Sequence, residues 1–255
     1  KKQFSVKVGT IFEDSPLGLD KWLAAIWLIA NAKNGVSSWE IHRALGITQK
    51  SAWFVLHRVR LAMQTGSFEK LSGDVESDET FIGGKAKFMH ASKRKERIQG
   101  RGTVGKTVVQ GLLERGGKVH VQVVPDQKKE TLQKNVRRHV LPGAYVFTDT
   151  LRSYVGLSPQ YVHGMVDHSA GQYVDGKVHT NGMENFWSLV KRCLKGTYVA
   201  VAPWHLFRYL DEEAFRFNER HGDDGDRFLD VVARIAGRRL TYKGLTGNLP
   251  EAEPV

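Results

Sequence analysis

Three acidic side chains lie at positions from which carboxylates often do chemistry. Asp78 is in the middle of a β-like run, where an acid that points toward a core must be paired or bind a metal ion. Asp149 comes at the carboxyl end of a predicted strand, the edge at which α/β sheets bind ligands. Glu184 lies on a helix predicted to begin near Asn181. Simpler interpretations remain, since Asp149 can cap a turn and Asn181 with Glu184 can form a capping box.

Two further acids compete with Asp78 for the same role. Side chains alternate between the two faces of a strand, so Glu76 and Asp78 share one face and Glu79 lies on the other. An acid on a core-facing side of a strand needs a partner or an ion to offset its desolvation. The alternation favours Asp78, and Glu76 and Glu79 remain the alternatives.

The helix predicted around Glu184 has two distinct faces. Its apolar residues form one stripe, which is typical of packing against a core. Glu184, Lys191 and Lys195 recur at helical spacing on a second face. One acid followed by two lysines suits a surface that holds a metal ion and then follows a phosphate backbone. The alternative is an ordinary solvated face with ion pairs between successive turns.

Residues 37–63 predict a helix-turn-helix unit. Ser37 and Glu40 form a capping box at the start of a short helix. Gly46 breaks this helix, and Thr48 caps a longer one. In such units the first turn of the second helix faces base edges, and later residues reach phosphates. The expected DNA contacts are Gln49, Lys50, Ser51, His57, Arg58 and Arg60. The alternative is a helical hairpin with a solvated basic face.

The composition indicates a polyanionic partner. The chain has 255 residues, with 38 Lys and Arg against 27 Asp and Glu, which gives a net charge of +11. A chain this basic favours nucleic acid. Residues 85–106 are strongly basic, and Lys93 and Arg94 are expected to clamp DNA by neutralising phosphates. A flexible solvated loop is the alternative. The longest apolar run, residues 22–30, is about half the roughly 20 residues of a membrane span.

Cysteine and histidine offer little for metal binding. The single cysteine, Cys193, excludes an internal disulfide framework and a cysteine-rich zinc site. His163, His168 and His179 have spacings too irregular for a zinc site. His168 or His179 is instead expected to contact substrate near the acids.

The elements that must position these side chains follow a mixed α/β order. Strands are predicted at 74–82, 107–113, 118–124, 144–148 and 161–166, and helices at 128–140, 181–195 and 204–218. The turn residues 114–117 predict a hairpin between the second and third strands. A helical region up to about residue 65 comes before all of them. This order predicts a mixed sheet that begins with an antiparallel hairpin.

With these motifs the chain resembles bacterial insertion-sequence transposases of the DDE type. The resemblance is to the branch that places a zinc ribbon and a helix-turn-helix before a ribonuclease-H-like core. The motifs that carry it are VESDETFIGG at 75–84, VFTD at 146–149, HTNGMENFWSLVKR at 179–192 and YLDEEAFRFN at 209–218. The spacing of 184 − 149 = 35 residues between Asp149 and Glu184 is typical of the family.

The resemblance implies both a fold and a site. The fold would be α/β, with a ribonuclease-H-like mixed five-stranded sheet flanked by helices and preceded by a small all-α helix-turn-helix domain. The domains would be a helix-turn-helix domain at 1–66, a catalytic domain at 72–222 and a C-terminal helix and tail at 223–255. The family's triad falls on Asp78, Asp149 and Glu184, as catalytic residues and as ligands of two Mg²⁺ or Mn²⁺ ions.

The implied activity is metal-dependent DNA cleavage and strand transfer at transposon ends in a bacterial cytoplasm. The helix-turn-helix would bind terminal inverted repeats, and a homodimer or larger assembly would join two ends to target DNA. The family's zinc-binding cysteines are missing, so we expect that an upstream zinc ribbon is absent from this sequence. One alternative is a domesticated DNA-binding regulator with an inactive core, against which the three acids argue. A ribonuclease-H-like nuclease for RNA–DNA hybrids is another, which the helix-turn-helix disfavours.

Overall fold

The computed structural model describes residues 5–64, 69–84, 90–97, 103–149, 151–157, 160–166 and 179–247. Its strands are β1 (Asp74–Ile82), β2 (Thr107–Glu114), β3 (Val119–Val124), β4 (Tyr145–Asp149) and β5 (Val162–Val166). Its α-helices are α1 (Leu19–Asn31), α2 (Ser38–Leu45), α3 (Gln49–Met63), α4 (Ala91–Arg97), α5 (Lys129–His139), α6 (Asn181–Cys193), α7 (Leu206–Asn218), α8 (Asp224–Ala233) and α9 (Tyr242–Leu245).

The five strands form one mixed sheet in the order β3-β2-β1-β4-β5. The first three strands pair antiparallel in sequence, and β4 then pairs parallel to β1 and to β5. A β-meander that continues into parallel strands, with helices on the faces, is the ribonuclease-H-like arrangement. The predicted fold class is therefore confirmed, including the helices that precede the sheet.

Two helices cover opposite faces of this sheet because side chains alternate along β1. Val75 joins a buried cluster with Leu132 and Val136 of α5, so α5 lies on one face. Asp78 points to the other face, where the indole of Trp187 on α6 donates a hydrogen bond to it. The period-two pattern of the sequence thus decides which residues of β1 meet each helix.

The chain divides into two compact units. The helical unit contains Lys1–Thr65, Arg192–Val199 and Asp211–Val255, and the sheet unit contains Gly66–Lys191 and Ala200–Leu210. In the helical unit, Ile26 of α1 and Val59 of α3 share a buried core with Phe215 of α7 and Val231 of α8. This core therefore combines both ends of the sequence. The division of the chain into DNA-binding, catalytic and C-terminal domains stays a prediction.

The local signals predicted for residues 37–63 are confirmed. The Ser37 hydroxyl accepts from the Glu40 amide at 3.2 Å, and the Glu40 carboxylate accepts from the Ser37 amide at 2.7 Å. Gly46 ends α2 with φ of 60°, a left-handed conformation that glycine adopts without steric cost. Thr48 caps α3 through the amide of Ser51 at 3.1 Å. These caps give two helices joined by a tight turn.

Some boundaries differ from those expected. The basic segment contains a short helix, α4, within a stretch where a loop was the alternative. The C-terminal amphipathic helix begins earlier than its apolar stripe suggests, because Asp223 and Asp226 form a capping box at its start. Across the described ranges, every helix is too short or too polar to cross a lipid bilayer.

Candidate carboxylate site

The sheet brings Asp78 and Asp149 side by side. β1 and β4 are parallel neighbours, and their last paired residues are Glu76 and Phe147. Asp78 and Asp149 each lie two residues beyond this last pair, and the charge of Asp149 is near enough to raise the pKa of Asp78. Asp149 is the last residue of β4, and its carboxylate accepts a hydrogen bond from the Leu151 amide at 3.0 Å. The turn-capping alternative for Asp149 is thus also realised.

Helix α6 brings Glu184 to the same face. Glu184 lies in the first turn of α6, and Trp187 lies one turn further along. The Trp187 indole donates to Asp78 Oδ2 at 3.0 Å, which fixes this helix over β1. The Glu184 side chain is exposed, whereas Asp78 and Asp149 are half-buried. All three acids therefore lie on the same side of the sheet, two on strands and one on α6.

The electrostatics of Asp78 reflect its neighbours. Burial is the main reason that the pKa of Asp78 is raised to about 6, and the charges of Asp149 and Glu184 act in the same direction. The three carboxylates therefore lie within electrostatic reach of one another. A cluster of acids that repel one another is stabilised by a bound cation, and oxygen donors of this kind suit Mg²⁺ or Mn²⁺.

The ligand atoms of the triad do not all lie within 4.8 Å of one another. Among the described residues, a single group of three possible ligand side chains has all its ligand atoms within 4.8 Å of one another, and it is Cys193, Glu212 and Glu213. The triad of Asp78, Asp149 and Glu184 is more open than that. The type of donor atom fits a divalent metal, and its full coordination would require closer approach or further ligands from DNA or water.

The compact cluster around Cys193, in the helical unit, is already neutralised by arginines. Arg216 forms ion pairs with both Glu212 and Glu213, and Arg60 donates to Glu212 at 2.7 Å. Two buried carboxylates facing two guanidinium groups leave no net negative charge to attract a cation. We therefore interpret this cluster as a structural ion network and not as a metal centre.

A second acid on the same strand face, Glu76, has a different environment. Its side chain is only 1% exposed. Its Oε1 accepts from the Arg115 guanidinium at 2.8 Å and lies 3.3 Å from His179 Nδ1, while Oε2 accepts from the Met183 amide at 2.9 Å. Glu76 thus satisfies a free amide in the first turn of α6. It holds the helix that carries Glu184 and is fully engaged in doing so.

The third competing acid, Glu79, lies on the opposite face. The Tyr154 hydroxyl donates to the Glu79 carboxylate and also contacts Ser77 Oγ at 2.8 Å. Burial raises the pKa of Glu79 to about 8 and that of Tyr154 well above its usual value. Asn135 and Gln110 extend this buried network with a hydrogen bond of 2.9 Å. Glu79 therefore belongs to a polar core beneath the sheet and faces away from α6.

The histidines considered in the sequence analysis, where described, have distinct environments. His179 joins the Glu76 network, where Arg115 also donates to its carbonyl oxygen at 2.7 Å. His163 Nε2 lies 2.9 Å from the Thr148 hydroxyl, and burial lowers its pKa. His168 lies outside the described residues. Of the two candidates for substrate contact, only His179 has a described position, and its Nδ1 faces the Glu76 carboxylate.

Three of the predicted DNA contacts begin α3. Lys50 is exposed, and its Nζ lies 4.8 Å from the centre of the Tyr242 ring. The Gln49 amide donates to Ser38 Oγ at 2.8 Å, and Ser51 Oγ lies 2.8 Å from Thr48 Oγ1. Lys50 is therefore the charged residue of this turn, and its side chain is exposed.

The basic candidates outside α3 are exposed where the structure describes them. Arg94 of α4 and Lys191 of α6 are exposed in the sheet unit, and Lys195 is exposed in the π-helical turn Leu194–Tyr198 of the helical unit. The side chain of Lys93 lies outside the described residues.

The structure does not support the predicted phosphate contact by Arg58. Its side chain is 3% exposed, and its guanidinium donates to the carbonyls of Leu240, Ile11 and Glu13 at 2.7–2.9 Å. His57 and Arg60 are buried as well. Helical spacing predicted a basic face, but the N-terminal segment and chain segments about 150 to 180 residues later cover it.

Sequence reasoning missed two residues that shape the site. Arg115 was noted only as part of a hairpin turn, yet it stacks 4.3 Å over the Phe147 ring and pairs with Glu76. Trp187 is one of the apolar residues in the stripe predicted for its helix, yet its indole nitrogen donates a hydrogen bond to Asp78. An acid on the core-facing side of β1, such as Glu76, indicates that a basic side chain must lie near it. The sequence alone does not identify that side chain as Arg115.

The fold is the ribonuclease-H-like class, and comparison with known proteins shows the family to which the chain belongs. Residues 70–218, more than half of the chain, match the family model of the ISXO2-like transposase domain. The chain belongs to this family of insertion-sequence transposases.

Two relatives support the assignment. An uncharacterized transposase-like protein of Haemophilus influenzae is 35% identical over 102 residues, which are 40% of this chain and 81% of the relative. An uncharacterized protein in transposable element ISH50 of Halobacterium salinarum is 26% identical over 218 residues, 82% of this chain and 73% of the relative.

Proposed function

We propose that this transposase cuts DNA at the ends of its insertion sequence and joins the freed 3′ ends to target DNA in a reaction that depends on divalent metal. Asp78, Asp149 and Glu184 are the proposed ligands and catalytic residues. The observation that carries this proposal is that Asp149 and Glu184 lie on the same side of the sheet as Asp78, close enough that their charges add to burial in raising the pKa of Asp78. Such mutual repulsion is an expected property of a site built for cations.

Each residue of the site has a defined part in the proposed reaction. Two Mg²⁺ or Mn²⁺ ions, when bound, would lower the pKa of the attacking hydroxyl and stabilise the leaving oxygen. Asp78 and Asp149 hold fixed positions on adjacent strands, so they set the geometry of the site. Glu184 is exposed on α6 and completes the ligand set from the solvent side. Positioning and charge neutralisation then account for most of the catalysis.

DNA binding is assigned to basic side chains in both units. In the helical unit, Lys50 at the start of α3 would approach base edges and Lys195 a phosphate. In the sheet unit, Arg94 and Lys191 would contact phosphates, and Lys93 is assigned the same role. The substrates would be the terminal inverted repeats and the target duplex. Because two ends must be joined, a homodimer or larger assembly on DNA is part of the proposal.

Strand transfer by Asp149→Asn tests the triad. The isosteric amide keeps the turn but removes a charge, so we expect product to fall at least about a hundredfold while the affinity for an end duplex is kept. The assay uses a labelled duplex of the element's end with Mg²⁺ or Mn²⁺. Glu130→Gln, which changes an exposed acid in the first turn of α5, is the matched control and should leave the rate unchanged.

Two results would redirect the proposal. Equal product from wild type and Asp149→Asn would reject the triad. Binding of the end duplex by wild type without nicking or joining would support the alternative of a DNA-binding regulator with an inactive core.

A further inference from the structure

The C-terminal segment lies against the start of the second helix of the helix-turn-helix. Tyr242, the first residue of α9, packs its ring 5.7 Å from the Phe54 ring in an edge-to-face arrangement. The same ring lies 4.8 Å from Lys50 Nζ, in cation–π geometry. Residues nearly 190 positions apart in sequence therefore form one surface in the helical unit.

This arrangement is anchored by buried groups and is not a loose contact of a chain end. Arg58 of α3 donates to the Leu240 carbonyl at 2.9 Å, and its guanidinium stacks 4.6 Å from the Phe54 ring. Arg238 donates to the Gln64 carbonyl at 3.0 Å. The side chains of Leu240 and Leu245, on either side of Tyr242, are buried. The segment is thus held along α3 by bonds that a free tail would not make.

The exposed groups of this surface match what a phosphate backbone requires. Tyr242 is 42% exposed although its ring is packed, and Lys243 beside it is exposed. Tyrosine hydroxyls and lysine ammonium groups are common phosphate contacts, which fix the register of a protein on DNA. The aromatic ring also restricts the Lys50 side chain, so less conformational entropy is lost when Lys50 binds.

We propose that α9 is part of the DNA interface, with Tyr242 and Lys243 contacting the phosphate backbone of the duplex whose groove receives the start of α3. This inference rests on the proposed DNA binding by α2 and α3 and deepens it. It assigns to the C-terminal segment a direct contact with DNA. It also gives buried Arg58 a role, which is to hold that segment in place.

The test is the affinity of the full chain for a fluorescent duplex of the element's end, measured by anisotropy between about 50 and 200 mM salt. Tyr242→Phe removes one hydroxyl and keeps the ring against Phe54, so we expect about three- to tenfold weaker binding. Lys243→Ala should weaken binding and reduce the slope of log Kd against log salt by about one. Unchanged thermal unfolding would show that both variants keep the fold.

Two further variants separate this inference from the function on which it rests. Lys33→Ala removes one charge from an exposed lysine after α1 and should bind as wild type does. If DNA binding is weakened as much in Lys33→Ala as in Lys243→Ala, the effect is one of overall charge and the inference fails. If Lys50→Ala binds DNA more weakly but Tyr242→Phe and Lys243→Ala bind as wild type does, α9 lies outside the interface. The proposed DNA binding by the helix-turn-helix is then kept. If Lys50→Ala also binds as wild type does, the proposed DNA-binding face itself is rejected.

Discussion

Glu76 illustrates how one buried side chain controls the position of another. It accepts hydrogen bonds from Arg115 and from the Met183 amide, so it links the β2–β3 turn to the first turn of α6. Glu184 is the next residue after Met183. Any change that frees this turn therefore moves a proposed metal ligand without touching the reacting atoms.

Substitution of Glu76 is expected to affect activity more than DNA binding. Glu76→Gln can keep an acceptor for the Met183 amide, but its NH2 group then faces Arg115 and the ion pair and its hydrogen bond are lost, whereas Glu76→Ala loses both contacts. We expect strand transfer to fall about tenfold in Glu76→Gln and further in Glu76→Ala, as is usual for residues that orient metal ligands. The Mg²⁺ concentration needed for half-maximal rate should rise in the same order. Equal loss in the two variants with an unchanged Mg²⁺ requirement would indicate general destabilisation instead.

What the sequence could predict at this scale was the identity of the acids and the strand face on which each lies. The alternation in β1 correctly separated Asp78 from Glu79 because strand geometry is local. The burial of Arg58 was not predictable, because its acceptors include Leu240 and Ile11, far away in sequence. A local pattern describes which way a side chain points and not which segment later covers it.

At the scale of elements, a glycine allows α6 to approach the sheet. Gly111 of β2 pairs with Asp78 in the β1–β2 ladder. A Cβ at this position would lie 2.2 Å from Met183 Cε and 2.7 Å from Trp187 Cζ2. The absent side chain makes room for the indole that contacts Asp78.

Gly111→Ala should therefore destabilise the sheet unit and disturb the site. The Met183 thioether can move, but the Trp187 ring is wide and rigid, so we expect a loss of about 1–3 kcal/mol in the free energy of unfolding. Urea unfolding measures this loss, and strand transfer should fall with it. Gly84→Ala is the control, since a Cβ there would meet nothing within 4 Å. A Gly111→Ala protein as stable as wild type would contradict the close packing described for α6.

Two stacked histidines give the sheet unit a pH dependence. His120 of β3 and His139 of α5 have ring centres 3.6 Å apart. Burial lowers the pKa of His120 to about 3 and that of His139 to about 4, from an ordinary value of 6.5. The positive charges of Arg138 and, for His139, of Lys70 act in the same direction. The folded state thus binds fewer protons than the unfolded state between about pH 4 and 6.5.

The free energy of unfolding should consequently fall as the pH drops below about 6.5. Asp78 and Glu79 oppose this trend because their pKa values are raised, so the comparison must be made with a variant. His120→Phe keeps a ring against His139 and cannot take up a proton. Between pH 7 and 5 we expect it to lose about 1–2 kcal/mol less than wild type in urea unfolding. Parallel losses in the two proteins would contradict a neutral His120.

At the scale of elements the sequence predicted most of the fold. β1 begins and ends at the predicted residues, because the alternation within the strand and the two glycines directly after it are local signals. β4 and β5 were placed within a residue or two. The helical unit was harder to foresee, since Phe215 and Val231 join the core of α1 and α3 only through tertiary packing.

At the scale of the whole molecule, a buried ion network joins distant parts of the sequence. Glu212 of α7 contacts Arg60 of α3 at 2.7 Å, Arg216, and the Tyr198 hydroxyl at 2.5 Å. Burial alone would raise its pKa, yet Arg216 and Arg60 hold the pKa of Glu212 below its usual value. The charges are therefore compensated inside the helical unit.

Removal of the central charge should be costly. Glu212→Gln leaves two buried guanidinium groups facing one remaining carboxylate, so we expect a loss of about 3–5 kcal/mol in the free energy of unfolding. Asp20→Asn, an exposed acid in the first turn of α1, should cost less than about 1 kcal/mol. Chemical denaturation followed by tryptophan fluorescence compares the two. A stability loss no larger for Glu212→Gln than for Asp20→Asn would mean that this network contributes little.

The core shared by α1, α3, α7 and α8 has a consequence for synthesis on the ribosome. Ile26 and Ile29 of α1 share their core with Phe215 and Val231, which are translated about 190 to 200 residues later. On the ribosome, α1 and α3 therefore reach their final burial only after α7 and α8 have been translated. A polypeptide that stops before α7 should therefore leave the apolar faces of α1 and α3 without their full core.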